Sequence, residues 1–524
     1  MIAALFSAAV YGIEAFTVNI EVSVGRGIGY QITGLPDDAI KESLSRISIA
    51  LETQGFRMPR TRIVINLGPA HLKKSGTAFD LPIAVCILAA SGQVNSIADL
   101  QSYLVTGELG LDGSVRPISG VLSIADHARK LKFKGVILPI INADQAALIN
   151  GLSVYGIDNL QQVIGLVNKQ CGIIPYSNPG GNTISRLFHS LDFSDVKEQQ
   201  HCKRALEIAA AGGHNALMIG PPGSGKTMMA SRVPSILPDL TFEEALETTK
   251  IYNAADAKTS LSRLMTSRPF RCPHHTISDI GLSGGGLPIM PGEISLAHNG
   301  ILYLDEMPEF KRSAIEILRQ PLESRKITIN RSRQSLEFPA AFILLASMNP
   351  CPCGYFGFSG KRCSCTVRSI RNYRNRISAP LLERIDLHIQ SAPLDPIELL
   401  NKDNTAESSA IIRARVVNAR KIQHDRFAAY PNVHCNADMF PLLTEQCTPI
   451  EFRARGYLLR TINSEQISAR AYHKILKIAR SIADLAESEN VALSHVREAF
   501  RFRGLDKPVD YSSPKNKIWR QGKK

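Results

Sequence analysis

The sequence predicts an α/β protein in three parts. An α/β N-terminal domain comes first, then a second α/β domain opening on a strand, a glycine-rich loop and a helix, then a helical C-terminal domain. Three observations carry that prediction. Short β-branched runs alternate with segments of helical spacing from residue 1 to about 170. A turn-rich stretch, Ile174-Pro175-Tyr176-Ser177-Asn178-Pro179-Gly180-Gly181-Asn182, then precedes a renewed strand–loop–helix alternation over residues 193–392. Beyond Pro393 strand signals fade, and Ala410–Arg426 and Ala469–Leu485 have helical spacing and many basic residues. The expected boundaries are 1–172, a linker at 173–188, a core at 189–395, a helical lid at 396–508 and a basic tail at 509–524.

Within the first domain, Met1–Val10 is apolar without a basic leader, which suits a first strand better than a signal peptide. Thr17–Val24 and Ile28–Thr33 flank Gly25-Arg26-Gly27 and read as a hairpin. Ile40, Leu44, Ile47 and Leu51 mark a helix behind Pro36, Arg62–Leu67 is a β-branched strand, and Leu81–Ala90 reads as a buried helix. A strand at Tyr103–Thr106, a turn at Asp112-Gly113, a helix over Leu122–Lys132 and a strand at Gly135–Leu138 complete the pattern.

Composition narrows the function. Of the 524 residues 44% are hydrophobic and 21% charged, the balance of a chain with packed cores rather than disorder. Basic residues exceed acidic ones by 61 − 47 = 14. Such an excess favours an acidic polymer, nucleic acid or an anionic surface; a basic enzyme without a polymer partner is the alternative. The longest apolar run, Leu81–Ala90, stops far short of the ~20 residues that span a bilayer, so no membrane is expected and the location is expected to be cytoplasmic. Four of the ten cysteines crowd into Cys351–Cys365, a pattern of metal binding more than of disulfides.

Gly220-Pro221-Pro222-Gly223-Ser224-Gly225-Lys226-Thr227 fits the phosphate-loop pattern GxxxxGK[ST] and follows the apolar strand Ala216–Ile219. Glycines let backbone N–H groups close around phosphates, Lys226 supplies charge to the β- and γ-phosphates, and the Thr227 hydroxyl suits Mg²⁺. Ile301-Leu302-Tyr303-Leu304-Asp305-Glu306 is an apolar strand ending in two carboxylates. Asp305 is placed to hold Mg²⁺ through water, and Glu306 to activate the attacking water on ATP. A further strand, Phe342–Ala346, leads to Asn349, a turn asparagine or a polar sensor of the γ-phosphate. Cys351-x-Cys353 and Cys363-x-Cys365 offer four thiols, which fit either Zn²⁺ or a reduced cluster without metal. Cys272 beside His274 and His275 reads as a plain loop. Ile327–Ile329 and Leu336–Phe338 read as strands around a basic tip, with Arg325 and Lys326 at the base and Arg331 and Arg333 at the tip; such cations bind DNA phosphates or simply face solvent.

The stretches GGHNALMIGPPGSGKT, RPFRCPHHTIS, HNGILYLDE, NPCPCG, LLERIDLH and SARAYHKILKIARSIADL together resemble an AAA+ ATPase, and in detail the ComM/YifB proteins, which are magnesium-chelatase-like; the likeness covers essentially the whole chain. The resemblance implies an AAA+ P-loop α/β core followed by a C-terminal helical lid, assembled as a homo-oligomeric ring, usually a hexamer, that hydrolyses ATP between subunits. It implies Arg384 as arginine finger, Arg470 as second sensor, and structural zinc at the four cysteines. It also implies that the 327–338 hairpin grips DNA in a central channel and that Thr276–Ala297 is a helix-two insert. The first domain resembles the proteolytic domain of Lon, but the nucleophile position falls on Ala78 and the lysine position on Leu122, so peptide hydrolysis has no chemistry there. Ser75 with Lys73 or Lys74 is a weak substitute. The function so implied is a DNA motor or helicase acting on single-stranded and branched DNA. It would drive branch migration and integration of incoming single strands during natural transformation, with a recombinase as a further partner. The alternative is a chelatase-type motor that remodels a protein during metal insertion into a porphyrin.

Overall fold

The computed structural model describes residues 1–95, 97–168, 174–177, 191–256, 263–331, 334–357, 362–393, 406–465 and 467–506, with the side chains of 331 and 334 left out. Two compact units divide the chain: Met1–Ser185 with Ala245–Met265, and Arg186–Glu244 with Thr266–Lys524.

In the first unit β1 (Ile2–Tyr11) and β2 (Glu14–Gly25) form a long antiparallel hairpin, paired from Ile2↔Ser23 to Tyr11↔Glu14. The elements β3 (Tyr30–Thr33), α1 (Asp38–Thr53), β4 (Arg62–Gly68), α2 (Asp80–Ala90) and β5 (Tyr103–Val105) follow. A small ribbon of β6 (Glu108–Leu109) and β7 (Val115–Arg116) leads to α3 (Val121–Lys130), β8 (Gly135–Pro139), α4 (Ala143–Ala146), β9 (Ser153–Ile157) and α5 (Leu160–Val167). The main sheet has the order β3-β4-β2-β1-β5-β8-β9. That order corrects the expected hairpin around Gly25-Arg26-Gly27. β2 and β3 are not neighbours; β4 lies between them, antiparallel to β2 and parallel to β3. Helix α1 starts where the Asp37 carboxylate accepts the Ile40 N–H at 3.0 Å, and it buries Ile40, Leu44, Ile47 and Leu51. Every residue of α2 is buried, including Asp80, whose carboxylate is met by Arg46 at 2.9 Å. Lys74 is also buried, and its ammonium donates to the Pro69 carbonyl.

The second unit begins with α6 (Gln200–Gly212), β10 (Ala216–Ile219), α7 (Lys226–Ala230) and α8 (Phe242–Ala255). From Ala245 onward α8 counts with the first unit, where its Lys250 meets Asp126 of α3 at 2.6 Å. Expected boundaries had put that stretch in the core. Then come β11 (Phe270–Arg271), α9 (Asp279–Ser283), β12 (Gly284–Gly285), β13 (Met290–Pro291), α10 (Glu293–Leu296) and β14 (Ile301–Leu304). After α11 (Arg312–Ile317) and α12 (Pro321–Ser324), the strands β15 (Lys326–Arg331) and β16 (Gln334–Pro339) pair with each other alone, from Lys326↔Pro339 to Arg331↔Gln334. β17 (Ile343–Met348), α13 (Val367–Arg374), α14 (Ala379–Leu382) and β18 (Leu387–Gln390) close the sheet. Its order is β11-β14-β17-β10-β18 and every pair is parallel. Counted along the chain, that is strands 2-3-4-1-5, so the first strand sits inside the sheet and its C-terminal end opens a crevice.

Helices α15 (Ser409–Arg426), α16 (Pro441–Cys447), α17 (Phe452–Glu465), α18 (Ala469–Leu485) and α19 (Leu493–Arg501) follow. All but α16 share the sheet's core; Leu443 of α16 packs instead with Phe427 and Met439 in a small separate cluster. Ile412 and Val416 of α15, Leu458 of α17, Ile475 and Ile482 of α18 and Val496 of α19 belong to the same buried cluster as Ala216, Met218 and Tyr303. The fold is thus the expected mixed α/β arrangement with a helical C-terminal part. Among the described residues no helix is long and apolar enough to cross a membrane.

Candidate active site

The parallel register gathers the nucleotide motifs on one edge. Leu304 is level with Ala346, and Ile219 with Met348, so Gly220, Asp305, Ser347 and Asn349 all stand at the C-terminal ends of β10, β14 and β17. Gly223 and Gly225 lie in the left-handed region, at φ 77° and 78°, which lets the loop from Gly220 to Thr227 turn its N–H groups inward. Lys226 folds over this loop, donating to the Gly220 and Pro221 carbonyls at 2.9 Å each. Burial pulls its ammonium below the usual lysine range, against the opposing pull of Asp305 and Glu306. A phosphate placed there would replace two neutral carbonyls by a full negative charge.

Asp305 is held by three hydroxyls. Thr227 Oγ1 donates to Oδ2 at 2.8 Å, while Ser347 Oγ at 2.5 Å and the Tyr303 hydroxyl at 2.9 Å donate to Oδ1. Burial works to raise the carboxyl, but these bonds and Lys226 overrule it and hold it below the usual aspartate range. Two hard oxygens 2.8 Å apart match adjacent corners of an octahedron with Mg–O near ~2.1 Å, so Thr227 and Asp305 fit Mg²⁺. Glu306 follows at φ 51°, exposed, and its N–H donates to Ser347 Oγ at 3.0 Å. Ser347 therefore ties both carboxylate positions to the neighbouring strand.

The four cysteines stand beside this edge. Their sulfurs all lie within 4.8 Å of one another, with Cys351 3.3 Å from Cys353 and 3.7 Å from Cys363, and Cys353 3.5 Å from Cys363. A zinc tetrahedron with Zn–S near ~2.3 Å has edges of about 3.8 Å. Backbone N–H groups point at sulfur from Phe356 to Cys351, from Cys353 to Cys365 and from Cys365 to Cys363, each at 3.4 Å, which suits thiolates. Burial opposes ionising Cys353, but N–H groups of Tyr355 and Ser364 and the thiols around it bring it to about 6, whereas burial and the neighbouring thiols push Cys363 up to about 12 and raise Cys365. The set fits zinc. The loop also touches the phosphate loop: a Cβ on Gly354, at φ 87°, would stand 2.5 Å from Pro222 Cδ.

Arg384 and Arg470 come together, but at the other end of the sheet. The Arg384 carbonyl accepts from Asn215 Nδ2 at 3.2 Å, just before β10 begins. Arg384 Nη2 lies 2.5 Å and Arg470 Nη2 2.7 Å from the same Glu323 carboxylate oxygen, and Arg470 Nη1 lies 3.3 Å from Glu383. Along α18, Lys474 pairs with buried Asp386 at 2.6 Å, and Ser481 bonds His214 at 2.8 Å.

Comparison with known proteins identifies the family. The family model described as magnesium chelatase, subunit ChlI, matches residues 192–399, a second ChlI model matches 20–142, and the ChlI C-terminal model matches 406–503. The chain is 40% identical over 501 residues to the YifB protein of Escherichia coli K12, covering 95% of this chain and 96% of that one. It is 39% identical over 508 residues to the competence protein ComM of Haemophilus influenzae, covering 96% and 98%. The chain belongs to the ComM/YifB family.

As a ComM/YifB protein it carries a magnesium-chelatase-like AAA+ core, for which ATP and Mg²⁺ are the implied ligands. Of the residues expected on DNA, Arg325 is not at liberty to meet it: it pairs with Asp438 at 2.7 Å and donates to the Phe342 carbonyl at 3.0 Å. Lys326 is exposed and meets Glu337 across the hairpin at 3.2 Å. Arg331 ends β15, and Arg333 lies outside the described residues. Sequence reading missed Tyr303, Ser347 and Glu323. The first two left a trace, each being a polar-tipped residue inside a run of otherwise apolar strand. Glu323 left none, because its two partners lie about 60 and 150 residues away.

Proposed function

We propose that this chain is an ATP-driven ring motor that moves along DNA and promotes branch migration while incoming single strands are integrated. The observation that carries the reading is the hairpin β15–β16, which stands apart from the main sheet with a basic tip sequence and grows directly from Glu323, the carboxylate shared by Arg384 and Arg470. The likeness to a protein named for competence supports it.

Chemistry at the crevice follows from the residues. Lys226 and the loop N–H groups hold the phosphates, and Thr227 and Asp305 orient the cation that, when bound, screens the β- and γ-phosphate oxygens. Glu306 takes a proton from the attacking water. Asn349, level with Gly220, orients the γ-phosphate. Arg384 cannot serve its own site: the four residues of β10, about 13 Å at ~3.3 Å each, separate its end of the sheet from the phosphate loop. Arg470 shares Glu323 with it and so sits at that same end. Both arginines therefore act on a neighbour's nucleotide, and hydrolysis requires an oligomer, with six subunits the expected ring. Cys351, Cys353, Cys363 and Cys365 would hold zinc, which would fix the loop that rests on Pro222. The +14 charge suits a polyanion.

The test is an ATPase assay with single-stranded, double-stranded and forked DNA, beside a sizing measurement with ATP. The reading expects stimulation by DNA and assembly with nucleotide. A chain that stays monomeric and turns over ATP at one rate with or without DNA is not this motor. Stimulation by a protein partner instead would favour the chelatase-type alternative, which the ChlI matches support.

A further inference from the structure

Glu323 occupies a position that neither the phosphate loop nor the hairpin explains alone. It lies on α12, three residues before the start of β15. Arg384, which must reach a neighbour's γ-phosphate to act, has a side chain only 10% exposed, held by Glu323 and by the Pro380 carbonyl at 2.6 Å. While so held it cannot reach outward. A carboxylate and a γ-phosphate are both oxyanions that fit the guanidinium fork, so the arginines have two alternative partners. The present partner can be given up, because Glu323 is 51% exposed and water can take over its oxygens.

The next residues make the exchange mechanical. Ser324 Oγ lies 3.0 Å from both the Gln320 and the Lys326 carbonyl and donates its one proton to either, which ties the end of α12 to the start of the hairpin. Arg325, fixed to Asp438 at 2.7 Å, supplies a pivot between Glu323 on one side and the hairpin on the other.

We propose that Glu323 is a positioning residue that couples the interface arginines to the DNA hairpin. Its carboxylate holds Arg384 and Arg470 until a neighbour's γ-phosphate takes them, and that exchange releases the root of β15. The coupling rests on the DNA-motor reading. It is reciprocal: nucleotide that loosens the hairpin's root for DNA is itself bound more tightly, by the same factor, when DNA is present.

The experiment measures that factor with full-length protein at fixed salt, using a fluorescent single-stranded oligonucleotide and a non-hydrolysable ATP analogue. Wild type should show the analogue tightening DNA, and DNA tightening the analogue, by an equal factor on the order of fivefold or more. In Glu323→Gln the factor should fall to about 1, with each ligand alone bound about as tightly as wild type binds it in the presence of the other, and Glu323→Asp should restore part of the factor. A brace with no coupling role would weaken the separate affinities and leave the factor intact; that result, or an unchanged factor in Glu323→Gln, overturns the proposal. Should Glu323→Gln fail to fold, Glu383→Gln, at an exposed carboxylate that meets Arg470, should give an intermediate factor, and an unchanged one there overturns it equally. Wild type that binds no DNA removes the motor reading itself, an outcome distinct from wild-type coupling that survives Glu323→Gln.

Discussion

Two carboxylates illustrate how neighbours decide what an acid does. Glu306 is exposed and aimed from a left-handed turn, whereas Asp305 one residue earlier is wrapped in hydroxyls. Glu306→Gln should therefore retain nucleotide binding and lose turnover by roughly 10²–10⁴-fold, the range of a general base, measured as ATPase rate against equilibrium affinity for ATP. Asp126 is the opposite case, a buried acid doing structural work. Burial would raise it, but Lys250, Lys130 and Arg129 hold it at about 2 against an ordinary 3.8. A carboxyl with a depressed pKa stabilises the fold above its unfolded value and loses that contribution as pH falls through the folded one. Asp126→Asn should thus cost about 2 kcal/mol at neutral pH, and the difference in melting temperature from wild type should shrink between pH 4 and pH 2.

At the scale of elements, the cysteine loop and the phosphate loop behave as one unit because Gly354 rests on Pro222. Gly354→Ala adds a methyl where 2.5 Å is available and a side chain where φ is 87°. Overpacking of that kind costs roughly 1–3 kcal/mol, so ATP should bind about tenfold more weakly while the protein's zinc content stays as in wild type. The phosphate loop, both carboxylates, the polar turn after β17 and the cysteine spacing were legible because each is a short local pattern. What escaped depended on distant chain. β2 and β3 read as a hairpin because the strand that separates them, β4, comes about 30 residues after β3. Arg325 read as a DNA contact because its partner Asp438 is 113 residues away. Ser347 is informative only once the register sets it beside Asp305.

For the whole molecule, the separation of the phosphate loop from Arg384 predicts complementation. Arg384→Ala and Lys226→Ala subunits should each be inactive alone, and mixing them should restore part of the ATPase, since some seams then pair an intact loop with an intact arginine. No recovery on mixing would count against an arginine that acts across the seam. The membership of Ala245–Met265 in the first unit bears on how this chain can be taken apart. A cut near residue 186 leaves an amino-terminal fragment short of a piece that the chain supplies only later, after the phosphate loop. Asp126 then faces Arg129 and Lys130 without Lys250. A fragment ending there lacks part of its own packing and should melt below the same unit in the intact chain.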